Sequence, residues 1–205
     1  MRQAGRYLPE FREIRKNNQD FIKLCLNKKL SSEITLQPLK RFELDAAIIF
    51  SDILIVPYGL GQKVEFKKNF GPLLNDIDLS IFKKVEEENF TKKLNPIYES
   101  LKLTSEDKLL NNKDLIGFIG APWTILVYML NKQSPKKKII SSLFNNEKLI
   151  NELLILIKKF LKIHIKNQVE NGASIIQIFD SWAGLVEEKK ISKYIYDPTS
   201  EIVEY

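Results

Sequence analysis

The 205-residue chain contains one cysteine and one histidine. A single cysteine excludes a disulfide framework within the chain. One cysteine with one histidine excludes a Cys/His zinc cluster, and a Ser–His–Asp arrangement would have only His164 to draw on. Apolar runs are short. The longest charge-free stretch, residues 115–131, is short for a membrane span and contains Gly117, Gly120 and Pro122. The opening Met1-Arg2-Gln3-Ala4-Gly5-Arg6 lacks the apolar stretch of a secretory signal, so the cytoplasm is the expected compartment. Arginine is scarce too: there are five, against 27 lysines. Four of the five, Arg2, Arg6, Arg12 and Arg15, fall in the first 15 residues. That clustering has chemical content, because the planar guanidinium fork binds carboxylates and phosphates at two points where lysine offers one charge.

What is present describes a folded chain. Hydrophobic residues make up 44% and charged residues 28%, with 8 Gly and 8 Pro, which excludes a wholly disordered protein. The length predicts one domain over residues 1–205 with no internal boundary. The net charge of +6 favours anionic partners without naming them. Mixed charges and aromatics in core-like patterns argue against nucleic acid.

Three continuous apolar runs, residues 46–50, 115–119 and 174–179, read as strands buried on both faces. Helical sequence follows each of them. Helices are predicted over residues 10–27, 90–103, 123–130 and 145–171, the last stopping at Asn171-Gly172. Another begins in the tail 198–205. Ser31-Ser32-Glu33 reads as a helix start, and Gly71-Pro72 as a turn after the alternating Val64-Glu65-Phe66. This is a β/α pattern with a parallel sheet. Two strands end in Phe and then a carboxylate beside a serine: Phe50-Ser51-Asp52 and Phe179-Asp180-Ser181. In β/α barrels such strand ends face the active site, although helix N-caps use the same residues.

Longer motifs lead to a family. Met1-Arg2-Gln3-Ala4-Gly5-Arg6-Tyr7-Leu8-Pro9 is followed by Thr35-Leu36-Gln37-Pro38-Leu39 and by the block Ala46-Ala47-Ile48-Ile49-Phe50-Ser51-Asp52-Ile53-Leu54. Gly120-Ala121-Pro122-Trp123-Thr124 with Tyr128, and Phe179-Asp180-Ser181-Trp182-Ala183-Gly184, complete the series. In content and order these blocks resemble the uroporphyrinogen decarboxylase family over nearly the whole chain.

The resemblance implies a (β/α)8 TIM barrel, of which this chain covers roughly the first half, working as a homodimer. It implies decarboxylation of the four acetates of uroporphyrinogen III to give coproporphyrinogen III, a step of haem and tetrapyrrole biosynthesis, with no metal and no cofactor. It places the essential aspartate at Asp52. Arg2 and Arg6 are placed on substrate carboxylates, with Arg2 also the candidate for proton delivery. Gln3, Ala4 and Gly5 lie between the two arginines, where Gly5 lets the backbone approach the ligand. Tyr128 and Ser181 complete the substrate contacts. On spacing alone Asp52 and Ser181 read equally as helix caps, and Tyr128 and Cys25 as core.

Departures from the family pattern also exist. The strand residues that usually precede the opening motif, and a C-terminal Asn-Leu-Gly-His-Gly segment, have no counterpart, so the chain is expected to be a fragment. Gly59 stands where family members usually carry alanine, and residues 130–137 lack the glycines usual after the tyrosine. Two other readings stay open: a catalytically dead tetrapyrrole-binding remnant, and a corrinoid-linked methyltransferase of the same superfamily.

Overall fold

The computed structural model describes residues 5–136 and 145–205. A short 3-10 turn, Gly5–Tyr7, leads into α1 (Pro9–Asn17), α2 (Phe21–Cys25) and α3 (Lys28–Arg41). Strand β1 (Ala46–Ile48) and α4 (Ile55–Gly59) follow, then a hairpin of β2 (Val64–Lys67) and β3 (Gly71–Leu74). Next come α5 (Leu79–Phe82), α6 (Glu87–Ser105), β4 (Asp114–Gly120), α7 (Pro122–Asn131), α8 (Glu147–Glu170), β5 (Ile175–Phe179) and α9 (Asp197–Val203).

The three apolar runs form one parallel sheet in the order β1-β4-β5. Ile48 pairs with Ile116, and Ile116 with Ile175, so these residues share one layer. The alternation along β4 sorts its two faces. Leu115 and Ile119 are buried in the apolar layers beneath the helices, whereas Ile116 and Phe118 point to the other face and stay partly exposed. Gly117 faces the helices, and a Cβ there would lie 2.5 Å from Gln168 Oε1, so only glycine admits the α8 side chain. The main core lies between the helices, with Phe90 and Phe160 ring to ring at 4.7 Å.

Local chemistry sets most element ends. Pro9 and Pro122 open α1 and α7, where a missing N–H costs nothing. Asp20, Asn27 and Asn146 cap α2, α3 and α8 by accepting the N–H groups of Lys23, Leu30 and Leu149.

Three expectations need correction. The helical stretch 10–27 is two helices, because the Asn18 amide and amide N–H both turn back to the Ile14 carbonyl and Asp20 starts the next helix. Ser31 and Ser32 do not start a helix; Asn27 does, and the two serines sit buried inside α3. Gly71-Pro72 is not the hairpin turn but the first pair of β3, with Pro72 opposite Phe66. The turn itself precedes it, with Asn69 in the left-handed region at φ 63°.

Candidate active site

A cavity of about 640 Å³ opens beside β1, walled by the N-terminal turn, α1 and α3 on one side and by sheet residues Ile48, Phe118 and Phe179 on the other. Of the expected site residues, Gly5 and Arg6 line it, and Ser51, next to Asp52, completes that wall. Arg12 and Phe11 also line it. Arg2, Gln3 and Ala4 lie outside the described residues. A Cβ on Gly5 would sit 3.3 Å from Pro38 Cγ, so glycine here lets the N-terminal turn pack closely on α3.

Three strand exits are fastened by buried side chains from the helices behind them. At the first, Thr35 Oγ1 accepts the Phe50 N–H at 2.9 Å and Ser31 Oγ donates to the Phe50 carbonyl at 2.7 Å. Ser100 of α6 donates to Ser31 Oγ at 2.9 Å from behind. At the second, two residues before β4 ends, Gln168 holds both backbone groups of Phe118. At the third, Thr124 Oγ1 donates to Asp180 at 2.7 Å and accepts the Trp182 N–H at 3.1 Å, while the Trp123 indole donates to the Trp182 carbonyl. Buried hydrogen bonds of this kind fix backbone position more tightly than solvent-exposed loops allow.

Asp52 emerges from the first of these exits. Its carboxylate accepts the Leu54 N–H at 2.9 Å. Burial pushes the Asp52 carboxyl up to about 6, against the opposing pull of that N–H and of the Arg6 charge. Burial also raises the Tyr128 phenol, and the Asp52 charge adds to the rise. The thiol of buried Cys25 is raised well above its ordinary value, chiefly by desolvation, with Asp52 raising it and Arg6 and Arg15 lowering it. Asp52 therefore lies within the electrostatic reach of Arg6, Tyr128 and Cys25.

Ser181 follows the third exit. Its side chain is exposed and lies outside the cavity wall, but its neighbours Asp180 and Trp182 are both fastened to α7, and the Trp182 ring meets Tyr128 edge-on at 5.9 Å. Burial raises Asp180, and the Thr124 hydrogen bond opposes the rise.

Two cationic side chains were not among the expected site residues: Arg12, which lines the cavity, and Arg15, which does not line it but shares an aromatic ring with Arg6. Arg15 stands 5.5 Å over the Phe21 ring and Arg6 stands 5.6 Å over the same ring. Each contact contributes about 0.5–1 kcal/mol at a partly exposed site. Phe21 is held in turn by Phe50 and Phe66, at 5.6 Å and 4.6 Å. The early arginine cluster was the available signal; the shared ring was not visible in it. Among the described residues no group of three or more His, Cys, Asp or Glu is placed to hold a metal ion, and no helix is long and apolar enough to cross a membrane.

Comparison with known proteins gives a consistent result. The profile of the family described as uroporphyrinogen decarboxylase (URO-D) matches residues 1–205. A uroporphyrinogen decarboxylase of Campylobacter jejuni subsp. jejuni serotype O:23/36 (strain 81-176) is 44% identical over 206 residues, covering 98% of this chain and 60% of that protein. The enzyme of the same name from Rickettsia bellii (strain RML369-C) is 42% identical over 205 residues, covering 99% and 60%. The chain thus spans about 60% of the length of the curated relatives it matches. Among solved structures, a methyltransferase from Methanosarcina mazei superposes with a TM-score of 0.72 at 14% identity, covering 94% of this chain and 58% of that one, a likeness of fold alone.

Proposed function

The chain belongs to the uroporphyrinogen decarboxylase family and has the fold of part of a TIM barrel, and from that premise we propose that the whole protein decarboxylates the four acetates of uroporphyrinogen III to give coproporphyrinogen III. One observation carries the reading: a partly buried carboxylate, Asp52, stands at a fastened strand exit in the field of Arg6, beside a cavity with phenylalanine walls.

Direct loss of carbon dioxide from a pyrrole acetate would leave a carbanion. Protonating the ring carbon first makes the pyrrole a cationic electron sink. The C–C bond to the carboxylate then breaks, its electron pair enters the ring and carbon dioxide leaves. Protonation of the resulting exocyclic methylene, with loss of the added ring proton, gives the methyl product. Asp52 accepts the pyrrole N–H groups and opposes the developing cation. With its carboxyl near 6 it is mostly ionised at pH 7. A charge pair at 4 Å contributes roughly 4 kcal/mol at an effective dielectric of 20, a substantial part of a typical enzymatic barrier reduction. Arg2 joins Asp52 in the catalytic set as the candidate for proton delivery. Arg2 and Arg6 take carboxylates, Gln3, Ala4 and Gly5 offer the backbone between them, and Tyr128 and Ser181 take further substrate oxygens.

The expected partner is the small polyanionic substrate and a second copy of the whole chain, in the cytoplasm, with no nucleic acid and no membrane. The reading is tested by incubating the purified protein with uroporphyrinogen III and separating the oxidised products by chromatography. Stepwise loss of carboxylates is expected, and Asp52→Ala abolishes it while the circular dichroism stays unchanged. Undiminished decarboxylation by that variant would sink the assignment. Binding without carbon dioxide release would favour the remnant reading.

A further inference from the structure

The Ser51 hydroxyl is a buried polar atom with no hydrogen-bond partner. It is not free to find one by moving its backbone. The preceding residue, Phe50, is held at its N–H by Thr35 and at its carbonyl by Ser31, and the following residue, Asp52, is tied to the Leu54 N–H. Ser51 lines the 640 Å³ cavity, whose wall also includes the guanidinium-bearing Arg6 and Arg12. A buried hydroxyl without a partner is destabilising, and nothing in the packing of β1 requires an oxygen at this position.

We infer that Ser51 is a substrate-contacting residue whose hydroxyl donates a hydrogen bond to a carboxylate oxygen of the ligand, on the same wall as Arg6. The chemistry follows from the surroundings. A neutral donor held still beside two cationic side chains suits an anionic acceptor that those cations bring into the cavity. The inference rests on the tetrapyrrole reading above and adds to it a residue that the sequence motifs left without a role. Ser51 makes no bond to reacting atoms in this account. It selects and orients, and its neighbour Asp52 supplies the charge.

The test compares Ser51→Ala with the unmodified chain in two measurements: thermal unfolding without ligand, and fluorescence titration with uroporphyrin III, the stable oxidised form of the substrate. The alanine variant is expected to unfold at the same temperature or higher, since it loses only an unpartnered hydroxyl. Its affinity is expected to fall about tenfold, or ~1.4 kcal/mol. Ser51→Thr, which keeps the hydroxyl, is expected to recover most of that affinity. Equal binding by Ser51→Ala and the unmodified chain overturns the inference while leaving the tetrapyrrole reading intact. A large drop in unfolding temperature for Ser51→Ala also overturns it, because the hydroxyl would then be structural. Failure of the unmodified chain to bind the probe overturns both the reading and the inference.

Discussion

Gln168 of α8 grips Phe118 of β4 by both of its backbone groups: Oε1 accepts the Phe118 N–H at 3.0 Å and Nε2 donates to the Phe118 carbonyl at 3.2 Å. Strand β1 pairs with β4 only as far as Ile116, so the side chain continues the hydrogen bonding where the neighbouring strand stops. Gln168 is almost fully buried. Gln168→Leu keeps most of the volume and strands both backbone groups. Each buried group left unpaired costs about 1–3 kcal/mol, and a loss of roughly 2–5 kcal/mol is expected by urea denaturation. A loss under 1 kcal/mol would show that water replaces the amide.

Asp52 couples stability to function in opposite directions. Its folded-state value of about 6 lies above the ordinary 3.8, so the fold disfavours the charged form. The stabilisation from a protonated Asp52 is complete below about pH 4 and is lost as pH rises through 6. Asp52→Asn removes the charge. At pH 7 it is expected to stabilise the protein by roughly 1–3 kcal/mol relative to wild type, with little difference at pH 4. Turnover is expected to vanish. Denaturation curves at the two pH values, set beside the activity, check both halves.

His164 sets an acid limit. It is buried against Tyr98, with the hydroxyl 3.0 Å from Nδ1, and burial lowers it from 6.5 to about 4. The folded chain holds the neutral ring while the unfolded chain takes up a proton near 6.5. Stability is therefore full above pH 6.5 and declines as pH falls to 4, by up to about 3 kcal/mol. His164→Gln can still accept from Tyr98 and does not titrate. Its stability is expected to be flatter over this range, and a slope equal to that of wild type would refute the assignment.

Gly59 has a packing reason. An added Cβ would sit 2.4 Å from Phe90 Cε2, and Phe90 is fully buried against Phe160. Gly59→Ala is expected to destabilise this chain by about 1–3 kcal/mol. Adding Phe90→Leu is expected to restore part of that, as a positive coupling in a double-mutant cycle. Additive losses would mean that the two positions do not compete for the same space.

The strands were legible as continuous apolar runs, and each run contains one: Ala46–Ile48, Asp114–Gly120 and Ile175–Phe179. The expected burial on both faces does not hold, because Ile116 and Phe118 are only partly buried and Ile175 is exposed on the cavity side of a sheet that helices cover on one face. The buried hydroxyls were not. Ser31 and Ser32 carry the composition of a helix start, and only the distant carbonyl of Phe50 and the hydroxyls of Ser100 and Thr104 explain them inside α3. Motif alone put Asp52 and Arg6 forward, but the ring that Arg6 shares with Arg15 depends on Phe21 folding back from a separate helix. The cavity wall formed by Phe118 and Phe179 needed the register between β4 and β5, which places Gly120 opposite Phe179 and brings the two rings within 5.6 Å.

The parallel sheet also has a kinetic consequence. Neither of its pairings can be made by a tight turn. The hairpin and α6 lie in sequence between Ala46 and Asp114, and α7 and α8 lie between Ile116 and Ile175. Loop closure must therefore come before those contacts stabilise anything, which makes the sheet a late and slow event in folding. Asp52 and Ser181 follow two of these strands, so their placement depends on the same non-local pairings.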